Sequence, residues 1–205
     1  MNINKYWDST RDDIVSNREY VLFLDEHLNY LDGCERIIDL GCGTGNLVKK
    51  LKSNNKAAYG ITYSEDEFNQ AITEGVIVGD MHEIPFNDDT FDAFVMWDSL
   101  EHCQSAYIAL CEAKRVIREN GKGLIFMPGQ NWLNYPAHIC CYTIAQMEQL
   151  FRQSGLKLVN VFPKEYPNGR WACDEMAVYE VVKDSSYRPV FNETRGAIFH
   201  AKNKK

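Results

Sequence analysis

Two groups of residues in this 205-residue chain have the types and spacing that chemistry needs. The first is the run Asp39-Leu40-Gly41-Cys42-Gly43-Thr44-Gly45, with glycine at three alternate positions. Ile37, Ile38 and Leu40 form an apolar run before it, and Leu47, Val48 and Leu51 restart at helical spacing after it. That pattern reads as buried strand, tight turn and helix start. Glycines let the backbone turn sharply and let a ligand approach without meeting a Cβ. The helix start offers free N–H groups and a partial positive charge to an anionic group. Asn46 stands where the dinucleotide fingerprint wants a further glycine, which argues against a nicotinamide site. The second group is Asp98, Glu101 and His102, whose i, i+3, i+4 spacing puts all three on one face of a helical turn. His102 is the natural general base, because its ordinary pKa lies near neutrality. Joined by the distant His138, the same side chains also suit a divalent ion such as Mg, Mn or Zn. A buried, hydrogen-bonded histidine is the equal alternative for His138.

The elements that must position these groups follow in order. Ala57–Thr62 reads as a second strand, and Ser64 with Glu67 forms a capping-box pattern at the start of a helix. Val76-Ile77-Val78 is a third strand running into Gly79-Asp80-Met81, and residues 91–97 are a fourth. A helix carrying Ala109, Leu110, Ala113, Val116 and Ile117 is expected to stop at Asn120-Gly121, with a fifth strand over 124–128. Thr143 caps a helix with Met147, Leu150 and Phe151 that ends near Gly155. Residues 156–162 alternate as a sixth strand, and residues 196–201 read as the terminal antiparallel strand. Between them, residues 163–192 are long for a link and read as a substrate-side cover or an edge embellishment, with a further element at 176–182. Ahead of all this, residues 1–33 form an N-terminal helical segment.

The run Asp39–Gly45 resembles the first motif of class I S-adenosylmethionine (SAM)-dependent methyltransferases. The resemblance implies an α/β, Rossmann-like fold: a seven-stranded, mostly parallel sheet with an antiparallel last strand and helices on both faces. It implies that Asp39, Gly41, Cys42, Gly43 and Asn46 hold the methionine end of SAM. In that family the second strand ends in an acid that grips both ribose hydroxyls, but Thr62 stands there. Gly60-Ile61-Thr62-Tyr63-Ser64 is similar instead to cyclopropane fatty acid synthases and their small-molecule relatives. Thr62 and the Tyr63 backbone are then expected on the ribose, without a charge-assisted pair. Asp80 is expected to accept from the adenine amino group while Met81 packs on the ring. Trp97 ends the strand that should lie beside the methyl-bearing sulfur. Tyr6 and Trp7, with Arg11, belong to an aromatic-rich segment that folds over the cofactor in such enzymes, or packs an N-terminal helix. Acid-x-x-Glu-His with a later His is similar to metal-dependent O-methyltransferases, although Leu-Glu-His also occurs in metal-free relatives where the glutamate anchors the turn. Trp132 and Tyr135 are expected to line an acceptor pocket.

These residues imply methyl transfer from SAM to a small molecule, at oxygen, with His102, Glu101 and His138 as the catalytic group. N- or C-methylation, and a non-catalytic SAM-binding protein, are the alternatives. One domain over 1–205 is expected from the length. The net charge of −7, from 29 acids against 22 bases, argues against broad phosphate-backbone binding and so against a nucleic-acid partner. Seven cysteines with no Cys-x-x-Cys spacing, and no signal-peptide pattern, place the expectation in the reducing cytoplasm. No apolar run reaches the ~20 residues a membrane span needs.

Overall fold

A computed structural model describes residues 27–129, 133, 136–164 and 176–187. The central apolar runs 36–40 and 91–97 become strands buried on both faces, as inner strands of a parallel sheet are, whereas the edge runs keep Val78, Val159 and Phe162 exposed. The strands are β1 (Arg36–Leu40), β2 (Ala57–Thr62), β3 (Val76–Val78), β4 (Phe91–Trp97), β5 (Ile117–Met127), β6 (Leu156–Lys164) and β7 (Met176–Lys183). The helices are α1 (Asn46–Ser53), α2 (Glu65–Asn69), α3 (Ala106–Val116) and α4 (Ile144–Ser154), with single 3-10 turns at Asn29–Leu31 and Leu100–His102. Strand order is β3-β2-β1-β4-β5-β7-β6, with β7 antiparallel to both β5 and β6. The expected Rossmann-like sheet is present.

Alternation of period two sends successive side chains to opposite faces. Ile38, Leu40, Phe94, Met96, Ile125 and Tyr179 face α3 and α4, where Leu110, Ala113, Met147 and Phe151 complete a buried layer. Ile37, Val95, Leu124, Phe126 and Val178 face α1, through Leu47, Val48 and Leu51, together with Leu31. Helices thus cover both faces. Each of these buried aliphatic or aromatic side chains contributes about 1.5–3 kcal/mol relative to exposure.

Three boundaries differ from the sequence expectation. α3 stops at Val116, before Asn120-Gly121, because Ile117 already pairs with Phe91 and is wholly buried. The polar residues 118–121 then bulge within β5: Lys122 next pairs with Ala93, and Asn120 takes φ 61°. Among the described residues the antiparallel seventh strand is Met176–Lys183, inserted between β5 and β6. Part of the expected substrate-side cover at 163–192 is therefore a core strand, with Ala177, Tyr179 and Val181 fully buried. Residues 196–201, like Arg11, lie outside the described residues. Thr143 does form its capping box with Gln146, and Gly155 closes α4 at φ 78°. Among the described residues no helix is long and apolar enough to cross a membrane.

Candidate active site

The chain leaves β1 toward β2 and β3 on one side and returns to β4 and β5 on the other. The crevice where strand order reverses, at the carboxyl ends of β1 and β4, is where ligands bind in such sheets. The glycine loop and the end of β4 meet there. Ser99 Oγ donates to the Leu40 carbonyl at 2.7 Å and is buried. Gly41, at φ 89°, comes so close to Ser99 that a Cβ would lie 2.4 Å from the serine Cβ. Only glycine fits that backbone and that gap.

Cys42 does not face the crevice. Its side chain is 9% exposed and lies under Gly60, whose Cβ would meet Sγ at 2.6 Å. The N–H groups of Gly41 and Cys42 both donate to the Ile61 carbonyl at 2.9 Å, so they tie the loop to β2 instead of greeting a ligand. Asn46 opens α1 and donates from Nδ2 to Thr44 Oγ1 at 3.4 Å. Asp39 is 4% exposed, and burial pushes its carboxyl up to about 7.

Along the same edge, Thr62 is 2% exposed while Tyr63 is 77% exposed. Ser64 Oγ accepts from the Glu67 N–H, as the capping pattern requires, but the reciprocal bond is absent. The Ser64 N–H goes to Thr62 Oγ1 at 3.2 Å, and the Glu67 carboxylate accepts from that same hydroxyl at 2.5 Å. Asp80 Oδ1 accepts from the His82 N–H at 2.8 Å and from its ring Nδ1 at 2.6 Å. Burial raises the Asp80 carboxyl, but the His82 bonds outweigh it and hold it below the usual range. The other imidazole nitrogen, Nε2, accepts from the Ser105 N–H at the start of α3. A Cβ on Gly41 would lie 3.6 Å from the Met81 methyl, so Met81 flanks the glycine loop. Trp97 stacks on Phe126 with ring centroids 4.9 Å apart. Tyr6, Trp7, Trp132 and Tyr135 lie outside the described residues.

Past β4, Asp98 takes φ 54° and the 3-10 turn Leu100–His102 begins. Glu101 is wholly buried, and neither carboxylate oxygen meets a hydrogen-bond partner. Burial above all, then the like charge of Asp98, drives its carboxyl well above the usual range. His102 Nδ1 lies 2.9 Å from the Ala137 carbonyl and must carry its proton toward that acceptor. The lone pair therefore sits on Nε2, 3.8 Å from Glu101 Oε1. Burial lowers the His102 pKa, so the ring is neutral at pH 7. His138 packs against it with ring centroids 5.0 Å apart, and its Nδ1 lies 3.6 Å from Cys141 Sγ. One ligand atom from each of Glu101, His102 and His138 falls within 4.8 Å of the others. Asp98 stands outside that cluster and acts on it as a neighbouring charge.

Of the four chemical side chains that the sequence groups together, the structure clusters three. Ser99 is absent from the sequence expectation, and Glu67 enters it as a helix cap alone. The signal for Glu67 is its place five residues past Thr62, within reach of the strand end. A surface groove of about 520 Å³ runs between residues 82–87 and α3, with Glu112 and Arg115 on its wall. Arg115 is saturated there by Glu112, Asp88 and the Ile84 and Phe86 carbonyls, and the groove touches neither the glycine loop nor His102.

Comparison with known proteins decides the family. Residues 38–125 match the family model described as a methyltransferase domain. Residues 38–125 thus carry a methyltransferase domain, within a sheet that has the Rossmann-like strand order of class I SAM-dependent methyltransferases. The matched segment runs from within β1 to near the end of β5 and contains the glycine loop, Asp80 and the Glu101-His102 turn. The chain is 27% identical over 131 residues to the 27-O-demethylrifamycin SV methyltransferase of Amycolatopsis mediterranei, covering 57% of this chain and 47% of that protein. It is 25% identical over 112 residues to 24-methylenesterol C-methyltransferase 2 of Arabidopsis thaliana, covering 49% of this chain and 28% of that one. The chain thus spans less than half the length of both. The methyltransferase fold itself is seen in the crystal structure of a SAM-dependent methyltransferase from Archaeoglobus fulgidus. That structure superposes with a TM-score of 0.74 at 17% identity, over 87% of this chain and all of the other.

Proposed function

We propose that this methyltransferase transfers the SAM methyl group to a hydroxyl of a small molecule, with His102 as general base. The observation that carries the reading is the 2.9 Å bond from His102 Nδ1 to the Ala137 carbonyl, which fixes the ring on the turn directly after β4. The sulfonium methyl is already activated, so the protein's tasks are alignment and removal of the acceptor proton. His102 Nε2 takes that proton, and the Ala137 carbonyl fixes the tautomer and shares the resulting positive charge through Nδ1–H. Burial, and then the neighbouring Asp98, raise the Glu101 carboxyl well above the usual range, which disfavours a charge beside the ring.

A second reading adds a divalent metal, and the buried, partnerless oxygens of Glu101 favour it. Buried polar atoms without partners call for an explanation, an ion among them. Glu101, His102 and His138 offer one carboxylate and two imidazoles, a donor set suited to Zn or Mn more than to Mg. A metal there would polarise an acceptor hydroxyl and lower its pKa.

The test is thermal unfolding with S-adenosylhomocysteine, alone and with Zn, Mn or Mg, followed by transfer of labelled methyl from SAM to a panel of phenols, catechols and hydroxy acids. A ligand at 100 times its dissociation constant adds about 2.7 kcal/mol and raises the midpoint visibly. A metal shift that disappears in His138→Ala supports the second reading. No shift with S-adenosylhomocysteine sinks both, and label on nitrogen or carbon acceptors alone overturns the choice of oxygen.

A further inference from the structure

The two edges of the sheet are built differently. An edge strand offers unpaired backbone N–H and C=O groups to any other chain, and proteins blunt such edges with lysines, prolines, bulges or brevity. β6, the edge on one side, carries Lys157, Lys164, Pro163 and a register shift between Leu158 and Asn160. β3, the edge on the other side, is Val-Ile-Val and has only its brevity of three residues. The residues flanking β3 turn inward: the Gly75 carbonyl accepts from the Gly60 N–H, and the Gly79 N–H donates to the Thr62 carbonyl. Alternate residues of a paired strand face opposite sides, so Ile77 also turns to β2 while the N–H and C=O groups of Val76 and Val78 point out of the sheet. No backbone bond beyond the sheet reaches them among the described residues.

The surroundings of this edge are apolar and acidic. Val78 is exposed, and so are Phe68 on α2, which packs against β3, Ile72 just after α2 and Tyr63 just before it. Single exposed hydrophobes are ordinary, but four bordering one bare strand edge make a patch. From Ala57 to Ala113 the chain has twelve acids and no lysine or arginine, although it holds 22 such bases in all. Glu74 and Asp80 bracket β3, Glu65 and Asp66 open α2, and all four are exposed. Lys52 reaches this edge from α1, but its ammonium donates to the Glu74 carbonyl.

We propose that β3 is a docking edge for an extended segment of a partner protein, one that alternates apolar and basic side chains and adds a further strand to the sheet. Its backbone pairs with Val76 and Val78 and supplies affinity, and its side chains supply specificity. The apolar ones cover Val78, Phe68 and Ile72, and the basic ones lie beside Glu65, Asp66 and Glu74. A second copy of this chain is the poorer occupant, because it brings the same acids to the same edge, and facing like charges cost affinity. The inference does not depend on the methyl acceptor or on the atom that is methylated.

Hydrogen exchange at individual amides of the whole protein tests it, with a short capped peptide of alternating lysine and valine as the probe. Alone, the protein should sediment as a monomer, and the Val76 and Val78 amides should exchange much faster than that of Ile77. The peptide should slow those two amides by about tenfold or more. Val78→Lys should weaken peptide binding by about tenfold, and Glu74→Lys should weaken it several-fold with a shallower salt dependence. Val159→Lys, on the opposite edge, should leave it unchanged. A peptide with glutamates for its lysines, or with alternate amides N-methylated, should give no protection. No slowing by the lysine peptide overturns the proposal, and so does equal protection by either altered peptide or unweakened binding to Val78→Lys. Protection of Val76 and Val78 before any peptide is added overturns it as well: in a dimer a second copy holds the edge, and in a monomer another part of the chain does.

Discussion

Asp39→Asn offers a quantitative check on the glycine-loop geometry. Asp39 is the penultimate residue of β1 at 4% exposure, and burial alone raises its carboxyl to about 7. In the unfolded chain the same group titrates near ~3.9. Between those values the unfolded chain has lost a proton that the folded one retains. Folding stability therefore falls as pH rises through that interval, and levels off once both states are ionised. The two values lie about three pH units apart, and at ~1.4 kcal/mol per unit the loss comes to roughly 4 kcal/mol. That is a large share of the ~5–15 kcal/mol that holds an ordinary domain together. Asparagine has the same shape and no proton to lose, so its variant lacks this slope while keeping every other titration. Urea unfolding of both ligand-free proteins at pH 5, 6, 7 and 8 reads the difference. The stability of the unaltered protein relative to Asp39→Asn should drop steadily from pH 5 to 7 and flatten by pH 8. Parallel curves for the two proteins would refute the reasoning: Asp39 would then be ionised in the folded state, solvated or paired in a way its burial denies.

Three other perturbations follow from the same structure. His102→Ala should cut the methyl-transfer rate by about 10²–10⁴ while leaving S-adenosylhomocysteine affinity within a few-fold, as expected of a general base; single-turnover kinetics beside calorimetry separates the two. Gly123→Ala should destabilise the domain by about 1–3 kcal/mol, because the new Cβ would meet the Phe94 ring at 2.3 Å and Val181 at 2.6 Å inside the sheet; a denaturant midpoint shows it. Thr143→Ala removes the Oγ1 acceptor for the Gln146 N–H and breaks the capping box of α4, at a cost of about 1 kcal/mol in the same measurement.

What can be read from the chain is what local rules govern. Ile37–Leu51 announces a strand, a turn and a helix because apolar period and glycine placement both act over a few residues. The Asp98, Glu101, His102 spacing is legible for the same reason. Long-range pairing is not. Met176–Lys183 carries a strand's residues, but that it slides between β5 and β6 depends on register with Lys122–Met127 and Leu156–Lys164, which no local pattern encodes. The end of α3 is misplaced by local rules because Asn120-Gly121 looks like a stop, whereas pairing of Ile117 with Phe91 ends the helix sooner. Glu67 is hidden by a plausible local role. The capping pattern is half kept, since Ser64 caps the helix, while the Glu67 carboxylate takes the Thr62 hydroxyl instead of the N-cap backbone.

The acceptor side of the site is assembled by one backbone atom. The Glu101 carbonyl accepts from the N–H groups of Ile139 and Cys140, at 2.9 and 3.1 Å, and so hangs residues 136–142 from the turn after β4. The same segment returns the Ala137 carbonyl to His102 Nδ1 and sets His138 against the His102 ring. Sequence neighbours Glu101 and His102 thus recruit, from over thirty residues away, both the carbonyl that fixes the His102 tautomer and the third side chain of the cluster. The cofactor side is tied separately, through Ser99 to Leu40 and through Gly41 and Cys42 to Ile61. Asp98 and Ser99, adjacent in sequence, sit where these two halves join. The proposed acceptor and cofactor halves are joined by the short path from Ser99 to Glu101, so on that proposal a change in the 136–142 segment should lower the methyl-transfer rate before it lowers S-adenosylhomocysteine affinity.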